Sequence, residues 1–334
     1  MTGSGLRSPA ARAVVHRFPD FFIVGHAKCG TTALYEMLRR HPRVFMPENV
    51  RGVGKEPWYF TQEGDITPGS EGARREPMSL EDYLALFAGA QPEQIIGEAS
   101  TGYIWSGTAP ARIHAARPDA RIIAAFREPA SFLRSLHLEL LQKGTESEPD
   151  LARAIALDED RRHGRNVPAR APNAAALVYS DRIRYVEQLE RYEALFGRER
   201  VLVLIYDDLR ADNDAALRRV MRFLEIDEMA LEAIEANPTV EPRSMRLRHI
   251  VWGLKTGGSP AWRALRSTGK ALTTRRMRER LLYPALPRVL FRRPSQPDEQ
   301  LMLELRRRFK PEVERLGEYL QRDLVALWGY DELD

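Results

Sequence analysis

Phe21-Phe22-Ile23-Val24-Gly25-His26-Ala27-Lys28-Cys29-Gly30-Thr31-Thr32 opens the ordered part of the chain, and Ala33-Leu34-Tyr35-Glu36-Met37-Leu38 follows it. A short apolar run with β-branched residues predicts a buried strand. It stops at Gly25, loops to Gly30 and restarts as a helix with Leu34, Met37 and Leu38 on one face. A strand, a glycine-bounded loop and a helix N-terminus form an anion cradle. The first-turn N–H groups lack intrahelical partners, and the macrodipole favours negative charge there. The bland alternative is a glycine-rich connection after a buried strand, which gives Lys28 no packing purpose. The pattern departs from the Walker A form G-x-x-x-x-G-K-[ST], because Thr31 occupies the lysine position and the lysine, Lys28, lies inside the loop. The expectation is a phosphate loop other than an ordinary ATP or GTP loop.

Working outward, apolar runs at Val44–Met46, Gln94–Glu98, Arg121–Phe126 and Val201–Tyr206 predict further strands. Helical patterns fall at Leu80–Phe87, Pro110–Arg117, after Pro129 (Phe132, Leu133, Leu136, Leu140, Leu141), at Ile183–Phe196 and at Leu217–Leu224. Val186, Leu189, Tyr192 and Leu195 are expected on the buried side of the fourth of these, and a last helix is expected from about Asp298 to Trp328. Strands separated by helices indicate βαβ units. The fold class is therefore α/β, a P-loop-type three-layer α/β/α arrangement with a central parallel sheet of about 4–5 strands.

Residues 1–17 read as a flexible lead-in lacking the apolar region of a signal peptide, and 18–334 as one domain. Segments 62–78, about 140–180 and 240–297 are rich in Pro, Gly and charge and are candidates to shape an acceptor pocket or close over it. With 51 Lys plus Arg against 47 Asp plus Glu, the net charge of +4 implies no nucleic-acid partner. The single cysteine, Cys29, excludes a disulfide framework and a cysteine-rich metal site. No apolar run approaches the ~20 residues of a membrane span. A soluble, cytoplasmic protein is expected.

Three further places carry chemistry. Arg127, at the end of a buried strand, and Ser135, two turns into the next helix, can reach one anion, Arg binding phosphate in a directional, bidentate way. The alternatives are an Arg127 pair with Glu128 or Glu98 and an ordinary helical serine. Lys55-Glu56-Pro57-Trp58-Tyr59-Phe60 sets a carboxylate beside aromatic rings, which raises its basicity if they line a pocket; an aromatic anchor with a solvated Glu56 is the simpler reading of those residues alone. Asp207-Asp208 after the last strand superficially resembles a magnesium-binding pair. Arg243 begins a basic run that either closes over an anion or is surface.

Together these stretches resemble the PAPS-dependent sulfotransferases, in particular the bacterial and heparan-sulfate-type branch. The resemblance runs from Pro19 to Trp328. Gly25 to Thr32 matches a G-x-x-K-x-G-T-[TS] loop, Arg127-Glu128-Pro129 through Ser135 an R-[DE]-P…S motif, Lys55 to Phe60 a K-E-P-x-F-F segment, Gly97 to Tyr103 a G-E-x-S-x-x-Y segment, and Val201 to Leu209 a strand that ends in Y-E-D-L. Cys29 stands where glycine or serine is commoner, and Ser131-Phe132 replace a frequent Glu-Arg. The resemblance implies transfer of a sulfuryl group from PAPS to a hydroxyl, or less readily an amine, with release of PAP and no metal. The acceptor would be a carbohydrate, lipid or secondary metabolite. It implies a 5′-phosphosulfate site at Lys28, Cys29, Gly30, Thr31 and Thr32 and a 3′-phosphate site at Arg127 and Ser135, with Arg243 a further donor contact. Lys28 would stabilise the leaving oxygen; Glu56, or second Glu98, would be the base. The rivals are a P-loop kinase-like phosphotransferase and an inactive nucleotide-binding module.

Overall fold

A computed structural model describes residues 17–48, 55–61, 78–171, 173–232, 234, 239–244 and 289–333. The lead-in up to residue 16, the segment 62–77 and residues 245–288 of the basic stretch lie outside the described residues.

Five parallel strands make the central sheet: β1 Phe21–Ile23, β2 Val44–Phe45, β3 Ile95–Ala99, β4 Arg121–Phe126 and β5 Val201–Ile205. Their spatial order is β2-β3-β1-β4-β5, so β1 lies between β3 and β4. Residues Phe21, Phe22 and Ile23 pair with Gly97, Glu98 and Ala99 on one side and Arg121, Ile122 and Ile123 on the other. All three β1 residues are buried, which explains a wholly apolar strand without alternation. Helices flank the sheet: α1 Thr31–Leu38, α2 Leu80–Ala85, α3 Ala109–Ala116, α4 Pro129–Lys143, α5 Leu151–Ala156, α6 Asp158–Arg162, α7 Tyr185–Phe196, α8 Tyr206–Ala211 and α9 Asn213–Phe223. A short antiparallel pair, β6 Glu241–Pro242 and β7 Phe291–Arg292, lies against α4, where Arg134 donates to the Ser295 carbonyl.

Two helical expectations need correction. The expected last helix is two: α10 Glu299–Leu320 and α11 Leu324–Trp328. Gln321 turns left-handed at φ 52°, and the Arg322 N–H returns 2.9 Å to the Gly317 carbonyl, closing the helix end. A Cβ on Gly317 would stand 2.8 Å from the Arg322 oxygen, so only glycine lets the chain fold back there. In α7, Leu195 is 38% exposed and Phe196 enters the core instead. The α7 stripe thus turns inward one residue later, as the helix meets Gly197.

Residues 144–183 are pinned from inside. The Arg161 guanidinium, 1% exposed, meets the fully buried Glu146 carboxylate at 2.9 Å. Tyr179 also donates to Glu146, and His137 of α4 lies 2.8 Å from the Tyr179 hydroxyl.

Candidate functional site

The loop after β1 is stitched to β4 before it reaches α1. Val24 N–H donates to Ile123 and His26 N–H to Ala125, at 2.9 and 3.1 Å. A Cβ on Gly25 would lie 2.3 Å from the Ala125 nitrogen, so glycine is required for this approach. Lys28 has φ 63° and Gly30 φ 84°, and these two left-handed residues curl the backbone ahead of α1. Gly30 occupies the N-cap position and no side chain caps the helix, leaving the first-turn N–H groups to the loop's concavity. The Cys29 thiol is fully buried, and burial raises its pKa far above the usual thiol range, so this residue offers only its backbone. Thr31 is buried and Thr32 half-buried at the start of α1.

His26 anchors the loop from behind. Its ring is buried among Phe126, Phe132 and Tyr185, and Nε2 lies 2.8 Å from Gln188 Oε1. The Gln188 amide nitrogen donates to the Asp181 and Arg182 carbonyls, so its oxygen accepts and His26 Nε2 donates. Burial, reinforced by the Arg182 charge, pushes the imidazole down to about 3, which keeps it neutral.

Arg127 and Ser135 come together. Arg127 Nη1 reaches Ser135 Oγ at 3.1 Å and the Lys28 carbonyl at 3.3 Å, and its guanidinium lies over the Tyr206 ring at 4.6 Å. Neither carboxylate suggested as its partner takes it. Glu128 caps α4, accepting from Ala130 and Ser131 N–H at 2.9 and 2.7 Å, and also receives the Tyr330 hydroxyl. Glu98 lies in β3 with other partners. Among the described residues no carboxylate pairs with Arg127, so a half-buried guanidinium beside a hydroxyl presents an anion-binding edge.

Lys28, whose carbonyl receives Arg127, lies within electrostatic reach of this edge. Burial lowers its pKa, an effect the Glu139 carboxylate opposes and the Arg127 charge deepens. Glu139 lies one turn after Ser135 on α4 and pairs with Lys143.

Glu56 is held on both oxygens. Lys55 Nζ lies 3.5 Å from Oε1, and Thr101 Oγ1 donates to Oε2 at 3.2 Å. Lys55 also reaches Thr31 Oγ1 at 3.4 Å, joining this segment to the loop. The neighbouring rings act as an anchor: Tyr59 stacks on Tyr83 at 4.2 Å and Phe60 packs on Phe22. Of the two readings of this stretch, these ring contacts match the aromatic anchor, while Glu56 itself meets Lys55 and Thr101.

Glu98 is fully buried and accepts three hydroxyls: Ser100 at 2.6 Å, Tyr83 at 2.7 Å and Tyr103 at 3.2 Å. Desolvation pushes its pKa up to about 7 against the pull of those hydrogen bonds. Arg243 is exposed, with Nε on the Phe291 carbonyl at 3.1 Å; its described contacts lie within the β6–β7 pair. Asp207 accepts from the Trp328 indole at 2.9 Å, and Asp208 is bidentate with Arg322. Both aspartates tie α11 and its approach to the end of β5. Among the described residues no group of three or more His, Cys, Asp or Glu could hold a metal.

Known proteins share this chain's pattern. The model of the sulfotransferase family matches residues 19–230. Human (Homo sapiens) carbohydrate sulfotransferase 15 is 27% identical over 68% of this chain and 47% of its own length. Human heparan sulfate glucosamine 3-O-sulfotransferase 6 is 30% identical over 65% of this chain and 55% of its own. The chain thus spans about half the length of the curated relatives it matches. The crystal structure of a sulfotransferase from Alicyclobacillus acidocaldarius superposes with a TM-score of 0.60 at 24% identity, covering 92% of this chain and 98% of that one, a likeness of fold.

Proposed function

This chain belongs to the sulfotransferase family, and on that footing we propose that it moves a sulfuryl group from PAPS to a carbohydrate hydroxyl and releases PAP. The observation that carries the donor assignment is the Arg127–Ser135 contact, 3.1 Å across, beside a loop already built for one anion. A donor with a 3′-phosphate needs a second anion site, and a guanidinium without a carboxylate partner fits it. The names of the relatives, carbohydrate sulfotransferase 15 and heparan sulfate glucosamine 3-O-sulfotransferase 6, favour a glycan over a lipid or a secondary metabolite.

PAPS supplies the sulfuryl group on an oxygen able to leave as phosphate. The residues of the chain do the rest by position and charge. Loop N–H groups around Gly30, with the Thr31 and Thr32 hydroxyls, hold the 5′ end. Arg127 and Ser135 hold the 3′-phosphate. Lys28 places positive charge where the leaving oxygen develops negative charge. Its lowered pKa follows from burial, which also strengthens its field. Glu56, aimed by Lys55 and Thr101, takes the proton of the acceptor hydroxyl.

Thermal unfolding with PAP in EDTA, set beside unfolding with Mg-ATP in excess Mg²⁺ without EDTA, is the first test. PAP at 100 times its Kd stabilises a binding protein by about 2.7 kcal/mol. A shift with PAP and none with Mg-ATP is expected; the reverse result would sink the donor assignment in favour of a kinase-like site. PAP release from PAPS on addition of desulfated heparan oligosaccharides then tests the acceptor class.

A further inference from the structure

Glu98 sits on the strand beside β1, and everything it touches leads to the segment bearing Lys55 and Glu56. Its Oε1 takes the Ser100 hydroxyl and its Oε2 takes the Tyr103 and Tyr83 hydroxyls. A hydroxyl has one proton to give and lone pairs left to receive. With those protons committed to Glu98, the Ser100 and Tyr103 oxygens are left as acceptors, and each receives a backbone N–H. Trp58 donates to Ser100 Oγ and Phe60 to Tyr103 Oη, both at 3.2 Å. Between these two fixed amides the chain makes a turn that Trp58 holds at φ 58°, a left-handed conformation unusual for a bulky side chain. Thr61 closes the turn by donating its N–H and hydroxyl to the Trp58 carbonyl. Two residues upstream, across the rigid Pro57, stands Glu56, whose carboxylate is met by Thr101 of the same strand-end segment.

We propose that Glu98 is a positioning residue: by orienting the Ser100 and Tyr103 hydroxyls it holds the Trp58 turn, and through that turn it aims Glu56 at the acceptor. A fully buried carboxylate already receiving three hydroxyls has no access to an acceptor proton. The same carboxylate does have the number and direction of contacts needed to impose a strained backbone, which persists only when its surroundings over-determine it. The role of Glu56 in this inference rests on the proposed sulfuryl transfer, whereas the hold on the turn does not.

Hydrogen exchange read by mass spectrometry on a peptide covering residues 56–61 separates the two. In Glu98→Gln, a donor amide group replaces one acceptor oxygen. In Ser100→Ala and Tyr103→Phe, one backbone acceptor is removed at a time, and these milder variants serve should Glu98→Gln fold poorly. In each of the three, exchange at 56–61 should quicken roughly tenfold, the effect of losing one net hydrogen bond, while peptides covering 21–32 keep the wild-type rate. PAP affinity should stay within about twofold. Release of PAP from PAPS with desulfated heparan oligosaccharides should fall at least tenfold in kcat with little change in the KM for PAPS. Faster exchange at 56–61 in a protein that does not bind PAP would leave the positioning role standing and remove the donor assignment. Unchanged exchange at 56–61 in Glu98→Gln, whether or not transfer is lost, overturns the proposal. Loss of transfer with an unchanged turn would make Glu98 itself the base.

Discussion

Arg127 and Ser135 meet at 3.1 Å across the junction between β4 and α4, and no carboxylate of the described residues competes for the guanidinium. Arg127 is also oriented by the Tyr206 ring and the Lys28 carbonyl, so its free edge has a fixed direction. Under the proposed donor assignment, that combination makes the pair a discriminator between nucleotides with and without a 3′-phosphate. Arg127→Ala should weaken PAP on the order of tenfold to a hundredfold, the worth of a hydrogen bond to a charged group. Binding of 5′-AMP should change little, and Ser135→Ala should show a smaller version of the same pattern. Calorimetric titration of both nucleotides checks this; equal losses for PAP and AMP would take the pair out of the 3′ site.

Lys28→Ala should act on turnover more than on binding. A preorganised charge at a developing anion is worth ~10²–10³ in rate, whereas the loop N–H groups proposed to hold the nucleotide remain. Single-turnover transfer from PAPS, set beside PAP affinity, measures the two separately. A wild-type rate in the variant would move the leaving-oxygen role elsewhere.

Glu56→Gln keeps the shape of the side chain while removing its basicity and its ion pair with Lys55, and it turns one of the two accepting oxygens into a donor. PAP binding should survive and transfer should fall by ~10²–10⁴. If the rate is unchanged, some other group accepts the acceptor's proton.

The neutral ring of His26 makes a pH signature. Its folded value of about 3 lies below the ordinary 6.5, so the unfolded chain binds a proton that the fold refuses. The stability this contributes is present above pH 6.5 and is lost as pH falls towards 3. His26→Gln should therefore flatten the decline of the urea midpoint between pH 6.5 and 4. An identical acid slope in variant and wild type would show that the ring is solvated.

The pair Glu146–Arg161, essentially without exposure, holds residues 144–183. Glu146→Ala strands a buried guanidinium, and losses of about 3–5 kcal/mol follow such changes. Urea unfolding of the variant measures the loss, and a cost below 1 kcal/mol would mean that water reaches Arg161.

Much of this site is legible in the chain because its signals are local. The β1 run, the two glycines and the helical stripe of Leu34, Met37 and Leu38 identify the cradle, and the eight-residue step from Arg127 to Ser135 is a strand-end followed by two helical turns. The rest depends on partners distant in sequence. Asp207 and Asp208 read as a metal pair until Trp328 and Arg322, more than a hundred positions later, are seen to occupy them. Glu98 reads as a possible base because nothing in G-E-A-S-T-G-Y says that Ser100 and Tyr103 turn back towards it. Tyr206 beneath Arg127 and Glu139 near Lys28 likewise follow from packing between separate helices and strands, which periodicity does not encode. The break at Gln321 is missed because the apolar stripe continues from Leu316 through Leu324 and Trp328 with no proline or glycine directly at the turn.

Residues 322–330 lock the ends of β4 and β5: Tyr330 on Glu128, Trp328 on Asp207 and Arg322 on Asp208. Glu128 adjoins Arg127, and Asp207 adjoins the Tyr206 ring beneath it. On the ribosome, then, the ends of β4 and β5 cannot gain these partners when their own residues emerge; Glu128 waits some two hundred residues, until position 330 has left the exit tunnel. A nascent chain stalled before that point carries Glu128, Asp207 and Asp208 without these three partners.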